Sequence, residues 1–417
     1  MKIDMKQIIT LIAALSLCLL SEAQVKTGLE VLRDSGFKGL EGKRVALLTN
    51  PSGVDGQLQS SVDIFCEAEQ INLVALFAPE HGVRGDVYAG GKVESGVDEI
   101  TGLPVYSLYG ATRQPTDAML KGIDVVVYDI QDVGSRSYTF ISTLGLMMRS
   151  CARLGIEVMV LDRPNPLGGL KIEGPCPREG FYSFVGQYRI PYVYGLTVGE
   201  LATLINEEGL NRGQKGNEEP LKCSLTIIPM EGWTRDMTFQ ETGLPWVLPS
   251  PNIPYPQTAI CYPCAGLVGE FNNYLNIGIG YSLPFGTFAA QWIDADELKA
   301  ELESYCLDGI AFRTIHYTPF SGSSAGKLIH GVQYYFTDYR MAELTTIQFY
   351  VMQAVHRLYG KDPFVLSTGR LEMFDKVCGS DYIRTTFSKT LEVSDIIDYW
   401  NGDVEDFREL ASKYYLY

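Results

Sequence analysis

Four short apolar runs in the N-terminal half each break off at a polar cluster, and this repetition constrains the fold more than any other feature. Arg44 to Thr49 (RVALLT) ends at Asn50-Pro51-Ser52-Gly53, and Ile71 to Ala78 stops at Pro79 and delivers Glu80 and His81 side by side. Asp124 to Ile130 (DVVVYDI) runs into Gln131-Asp132-Val133-Gly134-Ser135-Arg136-Ser137-Tyr138, and Glu157 to Leu161 into Asp162-Arg163-Pro164-Asn165. Runs this short, apolar without alternation, are strands covered on both faces, as in a parallel sheet. Leu58 to Gln70 and Ser142 to Leu154 carry apolar residues at helical spacing, and Thr116 to Lys121 is a shorter helix candidate. Strand, helix, strand is by default a right-handed parallel unit. The four exits then share the carboxyl edge of one sheet, where α/β proteins bind ligands.

The same pattern supplies the remaining elements. Leu29 to Arg33 reads as a short helix, Thr197 opens a helix with Glu200 three residues on, and Leu221 to Ile228 is a further strand. The Gly-rich loop from Pro79 to Gly102 carries Glu80, His81, Arg84, Asp86, Tyr88 and Glu94, and its length marks a binding loop. Gly243 to Pro256 (GLPWVLPSPNIPYP) is too rich in Pro for regular structure and is expected to pack over the site, offering Trp246, Asn252 and Tyr255. Beyond Gly266 the pattern changes. Asp294 to Tyr305 and Glu343 to Tyr359 read as helices, Gly309 to Tyr317 and Val332 to Thr337 as strands, and Val393 to Lys413 as further helix. The expected architecture is α/β: a parallel-sheet domain over residues 24–265, then a smaller α/β or α+β domain over 266–417.

A chain of 417 residues, 46% hydrophobic and 20% charged, is a packed globular protein rather than a disordered one. The net charge of −16 and the lack of any Lys/Arg-rich run argue against nucleic acid as a partner. At the N-terminus Lys2 and Lys6, an apolar core from Ile8 to Leu20 and Ser21-Glu22-Ala23 form an export signal over residues 1–23, with cleavage before Gln24. That predicts a periplasmic or secreted protein with no membrane span after cleavage. Eight cysteines follow the signal, and their pairing cannot be deduced from spacing. Cys261-Tyr-Pro-Cys264 lies in a Pro-rich stretch read as loop, so its role is structural.

No P-loop, G-x-G-x-x-G strand-helix turn, G-x-S-x-G elbow or H-E-x-x-H is present. Carboxylate chemistry is what remains, without a cofactor. Glu80 suits a general acid or base if desolvated, or is merely paired to Arg84 or Arg136. His81 assists it or bonds backbone. Asp129, Asp132 and Asp162 with His81 allow a metal-dependent hydrolase as an alternative, although their spacing matches no ligand code. Arg136 and Arg163 suit bidentate recognition of a carboxylate. Asp162 equally suits an ion pair or a helix cap, and Tyr138 a core position. Asn50, Gln131, Asn165 and Asn252 complete the set of expected contacts.

FAPEHGVRGDVYAG, TGLPVYSLYG, VVVYDIQDVGSRSYTF, LDRPNPLGG, EGP, SFVG, GLTVGELA, EGWTR and TGLPWVLPSPNIP, in that order, resemble the DUF1343 family, which includes the NamZ exo-β-N-acetylmuramidases. The resemblance runs from about Val45 to Pro256 and returns at Pro284-Phe285. It implies a two-domain glycoside hydrolase with a Rossmann-like N-terminal domain that removes N-acetylmuramic acid from the non-reducing end of peptidoglycan fragments. The family's Glu-His pair falls on Glu80 and His81, and its D-I-Q-D-V-G-x-R motif on Asp129 to Arg136. Glu80 is then the proton donor and Asp132 the candidate second carboxylate. Two segments depart from the pattern. Tyr194-Gly195-Leu196-Thr197 stands where family members carry H-G-M-T, and GEFNNYLNIGIGYSLPF from Gly269 replaces a run with an Arg and several hydroxyls. The second departure raises a different class, a non-catalytic periplasmic muropeptide-binding protein.

Overall fold

The computed structural model describes residues 25–417 apart from 89 and 272, so the expected signal segment lies outside the described residues. A seven-stranded sheet organises the N-terminal part. Its strands are β1 (Arg44–Thr49), β2 (Asn72–Ala78), β3 (Gly96–Val97), β4 (Pro104–Ser107), β5 (Val125–Asp129), β6 (Glu157–Leu161) and β7 (Leu225–Ile228), in the order β3-β4-β2-β1-β5-β6-β7. All neighbours are parallel except the edge strand β3. The four apolar runs are therefore four adjacent strands, β2-β1-β5-β6. The register pairs Thr49 with Asp129 and Leu48 with Phe77, so their exits are level.

Burial explains the ladder. In β5 every residue is buried, and β1 is buried from Val45 onward, because helices cover both faces. Helices α1 (Gly28–Asp34) and α2 (Ser61–Glu67) lie on one core, which holds Leu29, Leu47, Phe65, Leu76 and Val127. Helices α3 (Phe140–Leu154) and α4 (Val198–Glu207) lie on the other, with Leu48, Phe77, Tyr128, Met147 and Leu201. A third cluster spans the C-terminal part. It contains α5 (Pro256–Ala265), α6 (Ala295–Ser304), α7 (Ile347–Tyr359) and a three-stranded antiparallel sheet of β8 (Thr287–Ala290), β9 (Ile310–Tyr317) and β10 (Ile329–Phe336), ordered β8-β10-β9. The α/β class and the smaller second sheet match the expectation.

Several details correct it. Thr116 to Lys121 forms turns, not a helix. The stretch with Cys261 and Cys264 is the helix α5, begun by Pro256 in its first turn and continued through Pro263, and both thiols are buried in the C-terminal core. Proline at the first helical position costs nothing, since that N–H has no partner in any case. The helix expected from Val393 to Lys413 is broken into Val393–Asp395, Ile397–Asn401 and Val404–Ser412, with Gly402 at a break. All eight described cysteines are free.

Candidate active site at the carboxyl edge of the large sheet

Strand β2 is buried to its last residue, and Pro79, with no N–H to give, ends the ladder. His81 then takes φ 76° and Gly82 φ 82°, both in the left-handed region, and the chain turns back over the strand end. For a histidine this costs energy that its side chain offsets: Nδ1 bonds the Val87 carbonyl at 3.0 Å, while the Val87 N–H reaches the His81 carbonyl at 3.4 Å. A carbonyl only accepts, so Nδ1 carries the proton and Nε2 is left as an acceptor in the neutral ring. His81 is buried. It braces the loop that carries Glu80.

Glu80 is half-buried, and neutral donors hold it. The Gly90 N–H donates to Oε1 at 3.1 Å, and Thr139 Oγ1, at the cap of α3, donates to Oε2 at 3.1 Å. The Tyr109 phenol faces the same carboxylate. Burial first, and then its hydrogen bond to Glu80, push that phenol well up. The arginines expected beside Glu80 are committed elsewhere. Arg84 makes a bidentate pair with Asp98, at 2.9 Å through both Nε and Nη2. Arg136 is fully buried and donates to the carbonyls of Pro175 (2.6 Å), Ile190 (2.8 Å) and Val377 (2.8 Å). Arg136 therefore ties the two parts of the chain together instead of reading a ligand.

Asp132 is the second carboxylate of this edge. Oδ2 accepts from the Gly134 N–H (2.9 Å) and from the Tyr194 hydroxyl, while Oδ1 is enclosed without a partner. Burial pushes its carboxyl up to about 6, with the Tyr194 hydroxyl and the Gly134 and Val133 N–H groups pulling the other way. Tyr194, from the first of the two segments that depart from the expected pattern, thus supplies a phenol to Asp132. Tyr138 and Tyr262 lie within electrostatic reach of both carboxylates: their rings meet edge-on at 5.5 Å, and Glu80 and Asp132 both add to the rise that burial imposes on the two phenols. Phe285, from the rewritten segment, packs edge-on against Tyr262 at 5.0 Å.

The remaining polar exits are scaffold. Arg163 and Asp129 form a buried bidentate pair (2.6 and 2.9 Å), and Arg163 also reaches the Val54 carbonyl at 2.8 Å. Asp162 accepts from Thr197 Oγ1 (2.6 Å), the Gly199 N–H (2.8 Å) and the Tyr417 hydroxyl (2.8 Å), and so caps α4. Burial raises its carboxyl to about 6. Gln131 Nε2 spans the Asp132 and Pro164 carbonyls at 2.9 and 2.7 Å, and Asn165 Nδ2 donates to the Leu196 carbonyl at 3.0 Å. Asn50 receives Ser52 at Oδ1 and reaches the Pro249 carbonyl at 3.4 Å, which draws the Pro-rich segment over the β1 exit. Asn252 is half-buried on that segment, its N–H on Ser250 Oγ at 3.4 Å.

Among the described residues no three or more His, Cys, Asp or Glu side chains converge as metal donors, so Asp129, Asp132, Asp162 and His81 are not brought into one cluster. Of two cavities, one of about 560 Å³ is lined by Ala78 at the end of β2 and by Gly82, Val83, Arg84 and Val87 of the loop that carries Glu80, and one of about 500 Å³ lies beside Lys171 and Tyr339; Glu80 itself lines neither.

The sequence left Thr139, Tyr109, Tyr194 and Tyr262 unmarked as site residues. Thr139 follows directly on the marked Asp129 to Tyr138 run, and its hydroxyl, at the start of α3, makes no cap bond and goes to Glu80 instead. Tyr109 and Tyr262 reach the edge from β4 and α5, which no local pattern announces.

Comparison with known proteins identifies the family. Two family models, the N-terminal and C-terminal domains of the exo-β-N-acetylmuramidase NamZ, match residues 45–257 and 260–417. The peptidoglycan β-N-acetylmuramidase NamZ of Bacillus subtilis (strain 168) is 44% identical over 394 residues, covering 94% of this chain and 92% of that protein. A crystal structure of a DUF1343 family protein from Bacteroides fragilis NCTC 9343 superposes with a TM-score of 0.89 at 49% identity, covering 94% of this chain and 99% of that one. A second from the same organism superposes with a TM-score of 0.74 at 29% identity, covering 95% and 99%. With both domains matched along nearly the whole chain, the protein belongs to the NamZ family of exo-β-N-acetylmuramidases and is a glycosidase.

Proposed function

We propose that the protein is an exported, exo-acting hydrolase that releases N-acetylmuramic acid, or a related amino sugar, from the non-reducing end of peptidoglycan fragments. Glu80 is the general acid. The observation that carries this is the setting of Glu80 at the β2 exit, held by the Gly90 N–H, Thr139 and Tyr109 and paired with no cation among the described residues. Neutral donors orient a carboxyl without competing for the proton that it gives to the glycosidic oxygen. Asp132, whose carboxyl burial raises, is the second carboxylate assigned to the site. His81 holds the loop.

The test is incubation with a chromogenic β-N-acetylmuramide and the matching β-N-acetylglucosaminide, wild type against Glu80→Gln. Release from the muramide alone, lost in the variant, is the expected result. Turnover intact in Glu80→Gln sinks the assignment of Glu80. Tight saccharide binding with no product from either sugar replaces the enzyme with a binding protein. Export is supported by the Lys2, Lys6, Ile8–Leu20 and Ala23 pattern. N-terminal sequencing of the natural protein is expected to begin at Gln24, and a retained Met1 would count against it. Among the described residues no helix is long and apolar enough to cross a membrane.

A further inference from the structure

Of the arginines read as ligand-facing, Arg84, Arg136 and Arg163 are spent on Asp98, on three carbonyls and on Asp129. One arginine, within electrostatic reach of the Tyr109 that faces Glu80, is not spent. Arg113 lies in the loop after β4, four residues beyond the Tyr109 that faces Glu80. Its guanidinium stacks over the Phe184 ring, 4.3 Å from the centroid. Phe184 is in turn fixed to α3, because its carbonyl accepts from Ser142 Oγ at 2.7 Å. Ser142 is one helical turn from Thr139, the residue that donates to Glu80 Oε2. The chain on the far side of Arg113 is pinned as well: Gln114 Nε2 donates to Ser150 Oγ at 3.2 Å, and Ser150 Oγ to the Pro115 carbonyl at 2.9 Å.

A half-buried guanidinium held on an aromatic face and anchored on both sides has already lost much of its rotamer freedom. Arg113 nevertheless makes no hydrogen bond or ion pair with any described residue, and its Nε is enclosed without a partner. The half-buried fork spends its donors on no described residue, and their planar arrangement matches a carboxylate. N-acetylmuramic acid differs from N-acetylglucosamine by a lactyl ether that carries one carboxylate.

We propose that Arg113 is the specificity residue of the site and receives the lactyl carboxylate of the sugar whose glycosidic bond Glu80 protonates. This rests on the glycosidase reading above. It assigns the recognition of the acid to the loop after β4, and it leaves the rewritten 269–285 segment free to vary without loss of muramic acid.

Three substrates test it: the chromogenic muramide, its lactyl methyl ester and the glucosaminide, each with wild type, Arg113→Met and Arg113→Lys. Wild type is expected to prefer the free acid to the ester by on the order of 100-fold in kcat/KM, mostly through KM. Arg113→Met brings that ratio close to unity, and Arg113→Lys, a point charge without the fork, retains part of it. An Arg113→Met variant that separates acid from ester as sharply as wild type overturns the proposal, because a merely structural arginine would lower both rates together. If wild type turns over no sugar, the glycosidase reading fails by itself. Calorimetric binding of N-acetylmuramic acid and N-acetylglucosamine to the Glu80→Gln protein, with and without Arg113→Met, then decides this one. A preference for the acid that vanishes with Arg113 supports it, and a preference that persists overturns it.

Discussion

At the scale of single residues, Glu80 and Thr139 separate chemistry from orientation. Glu80→Gln keeps an acceptor for the Gly90 N–H, and its NH2 can donate to the Thr139 hydroxyl, but it has no acidic proton to give, so kcat is expected to fall by about 10²–10⁴ with a nearly unchanged melting temperature. Thr139→Val removes one neutral hydrogen bond of about 1 kcal/mol, so a loss of about fivefold in kcat is the expected steady-state result. Asp132 makes a prediction about pH. Its folded carboxyl titrates at about 6, above the ordinary 3.8, so between those values the folded state binds more protons than the unfolded chain. Stability therefore declines as pH rises from about 4 to about 6, by up to about 3 kcal/mol from this group. Urea denaturation at pH 4.5 and 7 is expected to show that slope and to find it reduced in Asp132→Asn. Identical slopes would mean that Asp132 ionises without penalty.

At the scale of elements, the strands that carry the site were the most legible part. β1 and β6 have the bounds that their apolar runs indicate, and β2 and β5 differ only at their ends. The reason is physical: a strand buried on both faces must be apolar throughout, and its first polar residue marks the exit. The α4 start was readable from Thr197 and Glu200, which form the reciprocal cap, but the cap has a third member from another strand, Asp162. Asp162→Ala is expected to cost about 2–3 kcal/mol in urea denaturation, because it leaves Thr197, the Gly199 N–H and Tyr417 without their acceptor. Such a residue is indistinguishable in sequence from a ligand contact. Both are carboxylates at a strand exit, and only the position of α4 separates them. α5 was illegible for the opposite reason: its prolines and cysteines suggest a loop, yet the C-terminal core buries its apolar residues and holds it as a helix.

At the scale of the whole molecule, long-range contacts decide which charges are free. Arg136 joins the β5 exit to the Val377 carbonyl of the C-terminal part, so Arg136→Met is expected to cost about 3–5 kcal/mol in denaturant unfolding while the KM of the folded fraction stays put. The C-terminus straps back onto the large-sheet part: Tyr414 bonds Glu208 (2.6 Å), the Leu416 N–H bonds Glu200 (2.8 Å), and Tyr417 joins Asp162 and the Met230 N–H (2.8 and 2.7 Å). Removal of residues 414–417 is expected to destabilise by about 2–4 kcal/mol, read as a lower urea midpoint. The sequence by itself determined the α/β class, the parallel run of four strands and the exit that carries Glu80, because burial on both faces and the turn at Pro79 are local in origin. Only the tertiary structure decided that Arg84, Arg136, Arg163, Asp129 and Asp162 brace the scaffold, that Thr139 and Tyr109 meet Glu80, and that Arg113 lies within electrostatic reach of Tyr109. A polar residue's role depends on which partners a distant segment brings within hydrogen-bond reach, and no local pattern encodes that distance.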